Sequence, residues 1–512
     1  MKNRIIGILL TGVMALGMLA GCGADAGQKG GEASTAADSS EDGSAAADDI
    51  AADDGEMKRI NMYTMGIGNT TDYKAVQDAI NEISREKIGV EVNWTVLDIG
   101  QWFEQYNLLL SGSEPVDLMV NMGGVSQGVS QGAFLELDEL YEQYGQDIAS
   151  YYDEEFLKAG RINGSLYGIA GQKDFAGTTA ITYRKDIVEE LGLDVSQVRS
   201  LADWTPVLEA VHEAYPDMAA FVSNGGNTLN QFNSYDWDTL GDREGVLMNY
   251  GKDTEVVNLY ETEEYEELVR QMRTWYQAGL VDKDAATNTE SWGDMVRAGK
   301  GFCSLVTGNP GSEYEHSINT GYPIGTIAIT EPLSTTGNVT AVMWSIPYMA
   351  SEPEAAMKFL NLMYSDPEVS DLLNYGIEGT HYEKAGDGTY TYVQGQDDSS
   401  CTYHPAMTWI WPNTYIGGQW QDAAPELGEK MTEFNKNARK SKAMGFTFDN
   451  SSVINEATAC SNVMQQYTFG LEVGAVDVDT VLPEFRQALK DAGIDKVIAE
   501  KQRQLDEWLA AN

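Results

Sequence analysis

Histidines, paired carboxylates and thiols are the side chains through which this chain could carry covalent or metal chemistry, and their spacing does not favour it. The four histidines are His212, His316, His381 and His404, and none sits in a recognisable nucleophile setting. There is no H-E-x-x-H and no phosphate-binding glycine loop with its lysine. Carboxylates are so numerous (79 Asp and Glu) that a glycosidase pair is not excluded by count, yet nothing singles two of them out. The pairs Asp282/Asp284 and Asp477/Asp479 read as solvated loop charges rather than metal ligands. Cys303, Cys401 and Cys460 show no C-x-x-C spacing, so no zinc site is expected, and they read as separate buried thiols. No catalytic residue, metal or cofactor is expected.

Cys22 is the exception. Lys2 and Arg4 precede an apolar stretch, Ile5 to Met18, that fits a signal-peptide core and is shorter than the ~20 residues a span needs. The stretch runs into Leu19-Ala20-Gly21-Cys22, which resembles the bacterial lipobox. That resemblance implies removal of residues 1–21 and acylation of Cys22 on its sulfur and new amino group. More than one acyl chain would anchor the protein stably. Residues 22–56 are rich in Ala, Gly, Ser, Asp and Glu and read as a disordered acidic tether. Such a tether would hold the rest of the chain about 30 Å from the lipid on average.

A net charge of −46 argues against a nucleic-acid partner and favours a neutral or cationic ligand over an anionic one. Tyr (26) and Trp (11) are plentiful; each joins a flat apolar face to a polar edge, which suits half-wet binding surfaces.

From Met57 onward the elements that must position any site alternate in type. Met57–Met65 reads as a strand, Asp72–Lys87 as a helix with Val76, Ala79, Ile80 and Ile83 on one stripe, and Val90–Leu97 as a second strand. Gln101–Leu110 is a helix and Pro115–Asn121 a third strand. The alternation predicts a parallel sheet built from crossovers. A second region repeats it, with strands at Ala180–Tyr183 and Gly301–Val306 and an amphipathic helix over Glu263–Ala278 that buries Leu268, Met272 and Trp275. Ser351-Glu352-Pro353-Glu354 and Ser365-Asp366-Pro367-Glu368 match the S-x-x-E capping box. A last helix runs from about Asp495 to Leu509.

Several stretches together resemble the bacterial extracellular solute-binding proteins of ABC importers, in particular their LipO-like lipoproteins. Tyr167-Gly168-Ile169 with Thr182-Tyr183-Arg184-Lys185-Asp186 resembles the family's "YGIP … YRKD" crossover, with Ala170 in place of the proline. Trp275–Asp284 is similar to "wyeeGyidkD", Val296–Lys300 to "aGK", and Trp344–Pro347 with Pro353–Leu360 to "W.IP … PEaAmkFL". Asn374–Tyr382 (NYGIEGTHY), Gly445–Ser452 and Ala492–Trp508 complete the likeness, the last two resembling a C-terminal region of unassigned function. The resemblance implies an α/β, two-lobe periplasmic-binding-protein-like fold with a hinged interlobe cleft. It places residues 57–170 plus about 337–395 in an N-terminal lobe, and 171–336 plus about 396–512 in a C-terminal lobe.

The implied function is a monomeric substrate-binding lipoprotein at the extracytoplasmic face of the cell membrane. It would bind a carbohydrate, expected to be an oligosaccharide, and present it to the permease subunits of an ABC importer. A membrane-tethered glycan-degrading enzyme, or a binding protein for a peptide or another nutrient, is the alternative. Strand ends and crossovers face such a cleft, which nominates Asn121, Gln172, Lys173, Asp174, Trp292, Asn309, Trp344, Glu378, His381, Tyr382, Trp409 and Trp411. For Trp344, Trp409 and Trp411 both cleft and core placements are open. Asn374–Tyr382 could equally be a structural turn, with Gly376 and Gly379 at positive φ.

Overall fold

The structure, a computed structural model, describes residues 57–512 except 67, 112–113, 152, 224–235, 387, 422 and 425. The expected signal peptide, Cys22 and the tether lie outside the described residues. Strand β1 (Lys58–Gly66) turns Ile60, Met62 and Thr64 inward by simple alternation. Helix α1 (Tyr73–Ile88) buries Val76 and Ile80 on the expected stripe and ends at Gly89, whose φ of 67° suits glycine. Strand β2 (Val90–Asp98) lies parallel to β1 along its whole length. After α2 (Ile99–Leu110), strand β3 (Leu118–Met122) pairs with the other side of β1. The short β4 (Ile169–Ala170) then leads the chain out of this sheet.

A second sheet is formed by β5 (Thr178–Arg184), β6 (Ala219–Phe221), β7 (Gly301–Gly308) and β8 (Ile324–Ala328), in the order β8-β5-β7-β6. Helix α3 (Glu263–Gln277) packs beside it, with Leu268, Val269, Met272 and Trp275 buried. Helix α4 (Ser312–Thr320) connects β7 to β8. The chain then returns to the first sheet as β9 (Val342–Ser345), which completes the order β2-β1-β3-β9-β4.

Neither sheet is purely parallel, contrary to the alternation argument. Strand β9 is antiparallel to β3 and β4, and β5 is antiparallel to β7 and β8. The reason is where the chain crosses. It leaves the first sheet from the C-terminal end of β4, so the returning strand enters at that same edge and must run backwards.

Three crossing segments lie side by side. Gly177 exchanges backbone hydrogen bonds with Leu333 at 3.0 and 2.9 Å. Leu333–Ser334 in turn pairs in parallel with Arg439–Lys440. The Ser334 hydroxyl donates to the Phe175 carbonyl at 2.6 Å, tying the first two crossings together.

Two separate cores flank these crossings. The first holds Ile60, Trp94, Leu118, Ile169, Trp344 and Phe359. The second holds Ile181, Trp204, Phe221, Trp275, Phe302 and Phe485. Tyr403, Met407, Ile410 and Trp411 pack in the first core. These four residues therefore lie with the first core, where the sequence reading puts residues from about 396 onward in the second lobe; the chain makes its third crossing at Arg439–Lys440. Cys303, Cys401 and Cys460 are free and buried.

Both expected capping boxes are replaced by another arrangement. Proline takes the first turn of α5 (Pro353–Ser365) and α6 (Pro367–Tyr375), so the cap falls on the residue before it, not on the serine. Asp366 caps α6 through the amides of Glu368 and Val369, whereas Ser351 donates from its hydroxyl and amide to Asp117.

The last crossing feeds α7–α9 into order: α7 (Leu427–Asn437) precedes it, and α8 (Ile454–Glu472) and α9 (Ile494–Ala511) follow it against the second core. Buried charges lock them there. Glu472 on α8 accepts from Arg243 at 2.9 Å and from the Tyr265 hydroxyl at 3.2 Å, and the buried Lys501 of α9 pairs with Asp242.

Burial, aided by the charge of Asp242, pushes the neighbouring Glu244 carboxyl up to about 7. Its folded pKa thus exceeds the ordinary value of 4.5, so the folded state holds the proton to higher pH than the unfolded chain does. This group's contribution is complete below about pH 4.5 and is lost as pH rises to about 7. Glu244→Gln is expected to flatten the fall in melting temperature over that window and to raise it at pH 8. Melts of the variant with the wild-type slope would refute this.

Candidate functional site

The strands of the first sheet that run parallel to β1 all end at the edge where the crossings leave, and the side chains there should face the other lobe. Asn121 ends β3 but is fully buried, its Oδ1 accepting from the Tyr106 hydroxyl of α2 at 2.7 Å. Its neighbour Met122 is the residue that reaches the surface, at 37 % exposure.

The first crossing brings four of the expected residues together. Gln172 follows β4 and donates its amide to the Pro412 carbonyl at 2.6 Å. Lys173 Nζ lies 2.6 Å from Asp174 Oδ1, and Asn309, just past β7 in the other lobe, donates to Asp174 Oδ2 at 3.4 Å. Asn435 on α7 fixes the crossing's backbone, donating to the Lys173 carbonyl at 2.6 Å and accepting from the Phe175 amide at 2.9 Å.

Two residues that the sequence did not nominate complete this cluster. Glu315, on the first turn of α4, has its carboxyl raised by burial and by the charge of Asp174, with Lys173 opposing. Tyr415 holds its phenol proton because it is buried near Asp174 and Glu315. Beside the cluster lies a groove of about 590 Å³ lined by Tyr151, Gln172, Asn413, Tyr415, Glu429 and Lys436, among others.

Segment 411–420 runs from this groove to an aromatic shelf. At one end Asn413 pairs with Gln172. At the other, Gly418 donates its amide to Asp371 Oδ1 at 2.8 Å, and Tyr390 donates its hydroxyl to Asp371 Oδ2 at 2.6 Å. Burial raises the Asp371 carboxyl against these two hydrogen bonds. Tyr375 and Trp420 stack with centroids 5.8 Å apart, and Tyr392 and His404 pack on Trp420 at 4.8 and 5.5 Å. His404 is placed over the end of β1 by backbone pairing with Asn69. The dense aromatic run from Tyr375 to Trp420 was a signal available in the sequence and not used.

The remaining nominated residues lie elsewhere. Trp344 is fully buried, its indole N–H donating to the Ile410 carbonyl at 2.9 Å, and Trp411 is buried against Trp94 with centroids 5.5 Å apart. Both are core residues: Trp344 lies on β9, which is buried along its length between β3 and β4, and Trp411 stacks on it at 6.2 Å. Trp292 packs with Val222, Val296 and Ile324 and meets His316 edge-on at 5.0 Å. Trp409 is 37 % exposed on a short turn.

Asn374 and Tyr375 end α6, and the chain turns after them at Gly376. Gly376 has φ 83°, and a Cβ there would lie 2.5 Å from His381 Nδ1. That nitrogen accepts from the Ile377 amide at 2.9 Å, and Nε2 faces Asp72 at 3.3 Å. Glu378 is exposed and paired with Lys384 at 3.0 Å. Tyr382 packs on Tyr390 at 4.5 Å, beneath the shelf.

Flat rings flanked by amide, hydroxyl and carboxylate groups suit a neutral ligand with many hydroxyls. Among the described residues no cluster of His, Cys, Asp or Glu could hold a metal ion. Residues 67–369, more than half of the chain, match the family model of bacterial extracellular solute-binding proteins. The chain belongs to that family.

The C-terminal part of this solute-binding protein, residues 442–510, matches a domain of unknown function and begins directly after the third crossing. It is 27 % identical over 463 residues to a carbohydrate ABC transporter substrate-binding protein of Streptococcus pneumoniae, covering 90 % of this chain and 92 % of that one. It is 26 % identical over 341 residues to lipoprotein LipO of Bacillus subtilis, covering 62 % and 66 %. Among solved structures, the N-glycan transport solute-binding protein of Streptococcus pneumoniae superposes with a TM-score of 0.79 at 26 % identity, covering 88 % of this chain and 99 % of that one. The same relative in complex with Man5GlcNAc gives 0.67 at 25 % identity, covering 89 % and 99 %. These neighbours carry the two-lobe fold expected of the family.

Proposed function

We propose that this solute-binding protein captures an oligosaccharide between its two lobes and delivers it to an ABC importer without altering it. The observation that carries the reading is the groove lined by Gln172, Asn413 and Tyr415, set where three crossings join two independent cores. We assign residues 57–174 with 336–438 to one lobe and 178–332 with 441–512 to the other. Short paired crossings can act as a hinge, and a ligand that touches both lobes favours the closed form by its differential affinity.

Anchoring through an acylated Cys22 would keep the protein at the extracytoplasmic face, beside the permease, and the likeness to a lipoprotein supports it.

Addition of a cognate glycan at about 100 times its Kd is expected to stabilise the fold by about 2.7 kcal/mol. The readouts are a raised melting temperature and, by chromatography, no new product. A broad glycan panel that leaves the melting temperature unmoved would sink the carbohydrate reading, and product formation would favour an enzyme.

A further inference from the structure

Behind the groove, and sharing Tyr151, Gln172, Thr432 and Lys436 with it, lies an annex of about 330 Å³. Its lining includes Phe156 and Phe175, whose rings sit 4.8 Å apart and are 5 % and 2 % exposed. Gln172 stands between the two spaces. Its side chain is 6 % exposed, and its Oε1 is buried with no hydrogen-bond partner in the protein. A buried acceptor left empty is costly, so it marks a place where a ligand donor belongs.

We infer that the annex receives an N-acyl substituent, such as the acetamido group of an N-acetylhexosamine, on the bound glycan. The amide N–H would donate to Gln172 Oε1, the methyl would lie on Phe156 and Phe175, and Lys436 would supply a donor for the acyl oxygen. A plain ring hydroxyl meets only the first need and leaves the phenyl floor with no apolar group to cover it. A carboxylate substituent would find Lys436 but would face Asp153 in the same space.

The inference rests on the carbohydrate reading, and calorimetric titration separates the two. The probes are pairs of oligosaccharides that differ only by an acetamido group in place of the 2-hydroxyl of each residue, for example diacetylchitobiose against cellobiose and tetraacetylchitotetraose against cellotetraose. The acetamido member of a pair is expected to bind at least about tenfold more tightly. Gln172→Met, which keeps the bulk and removes the acceptor, is expected to collapse that ratio toward one. Gln172→Glu, which retains an acceptor, should preserve more of it, and melting curves of both variants check the fold. Binding without preference for the acetamido member overturns the inference and leaves the carbohydrate reading standing. Binding of no glycan in a broad panel overturns both.

Discussion

Glu472→Ala should cost the folded chain about 3–5 kcal/mol, more than most single substitutions in this protein. Glu472 is fully buried and Arg243 is 5 % exposed. Burial drives the Glu472 carboxyl up, while the adjacent carboxylate makes Arg243 hold its proton more tightly. The pair itself adds little net stability, because taking both charges out of water offsets most of their attraction. Its truncation is expensive for the opposite reason: the guanidinium stays buried after its carboxylate has gone, and the Tyr265 hydroxyl loses its acceptor too.

The contrast is measurable. Urea melts should show a large loss for Glu472→Ala and recovery of much of it in Arg243→Met/Glu472→Leu, which fills the space without charge. A double variant as unstable as the single one would contradict this account. Since Arg243, Tyr265 and Glu472 join three distant segments, the loss should loosen the C-terminal helices from the second core.

Tyr415→Ala should weaken glycan binding by roughly 30-fold, or about 2 kcal/mol, which is typical of an aromatic anchor at the centre of a site. Tyr415 lines the groove beside Gln172 and Asn413, and the nearby Asp174 and Glu315 favour its neutral phenol. Removal of the ring takes away a flat face and a donor at once, whereas Tyr415→Phe keeps the face and should lose about tenfold or less. Trp344→Ala supplies the comparison. It empties a fully buried site under Trp411, so melting temperature should drop while the folded fraction binds as before. Titration of Tyr415→Ala with wild-type affinity would show that the groove is not where the ligand sits.

Much of the first sheet was legible in the sequence, and the reason is local. Alternation in Lys58–Gly66 and the Val76/Ile80 stripe in α1 are properties of neighbouring residues, so they survive without knowledge of the rest of the chain. The starts of α5 and α6 were legible in the same way, although the caps fell on Glu352 and Asp366 and not on the expected serines. The sequence reading puts Gln172–Asp174 on a crossing and Asn309 at a strand end, and the hydrogen bond between Asn309 and Asp174 is what only the structure adds.

Strand direction in β9, the late third crossing and the placement of Trp344, Trp409 and Trp411 were decided only by the tertiary structure. Trp344 and Trp411 carry the same side chain as Trp420, yet the first two are sealed in a core and the third joins an open shelf. A residue's type states what it can bind; which other segments cover it is set by contacts hundreds of positions away, such as Asn309 with Asp174 or Arg439 with Leu333. The sequence alone therefore determined the kinds of element and the chemistry available. Long-range packing, which no local periodicity encodes, determined which side chains that chemistry could still reach.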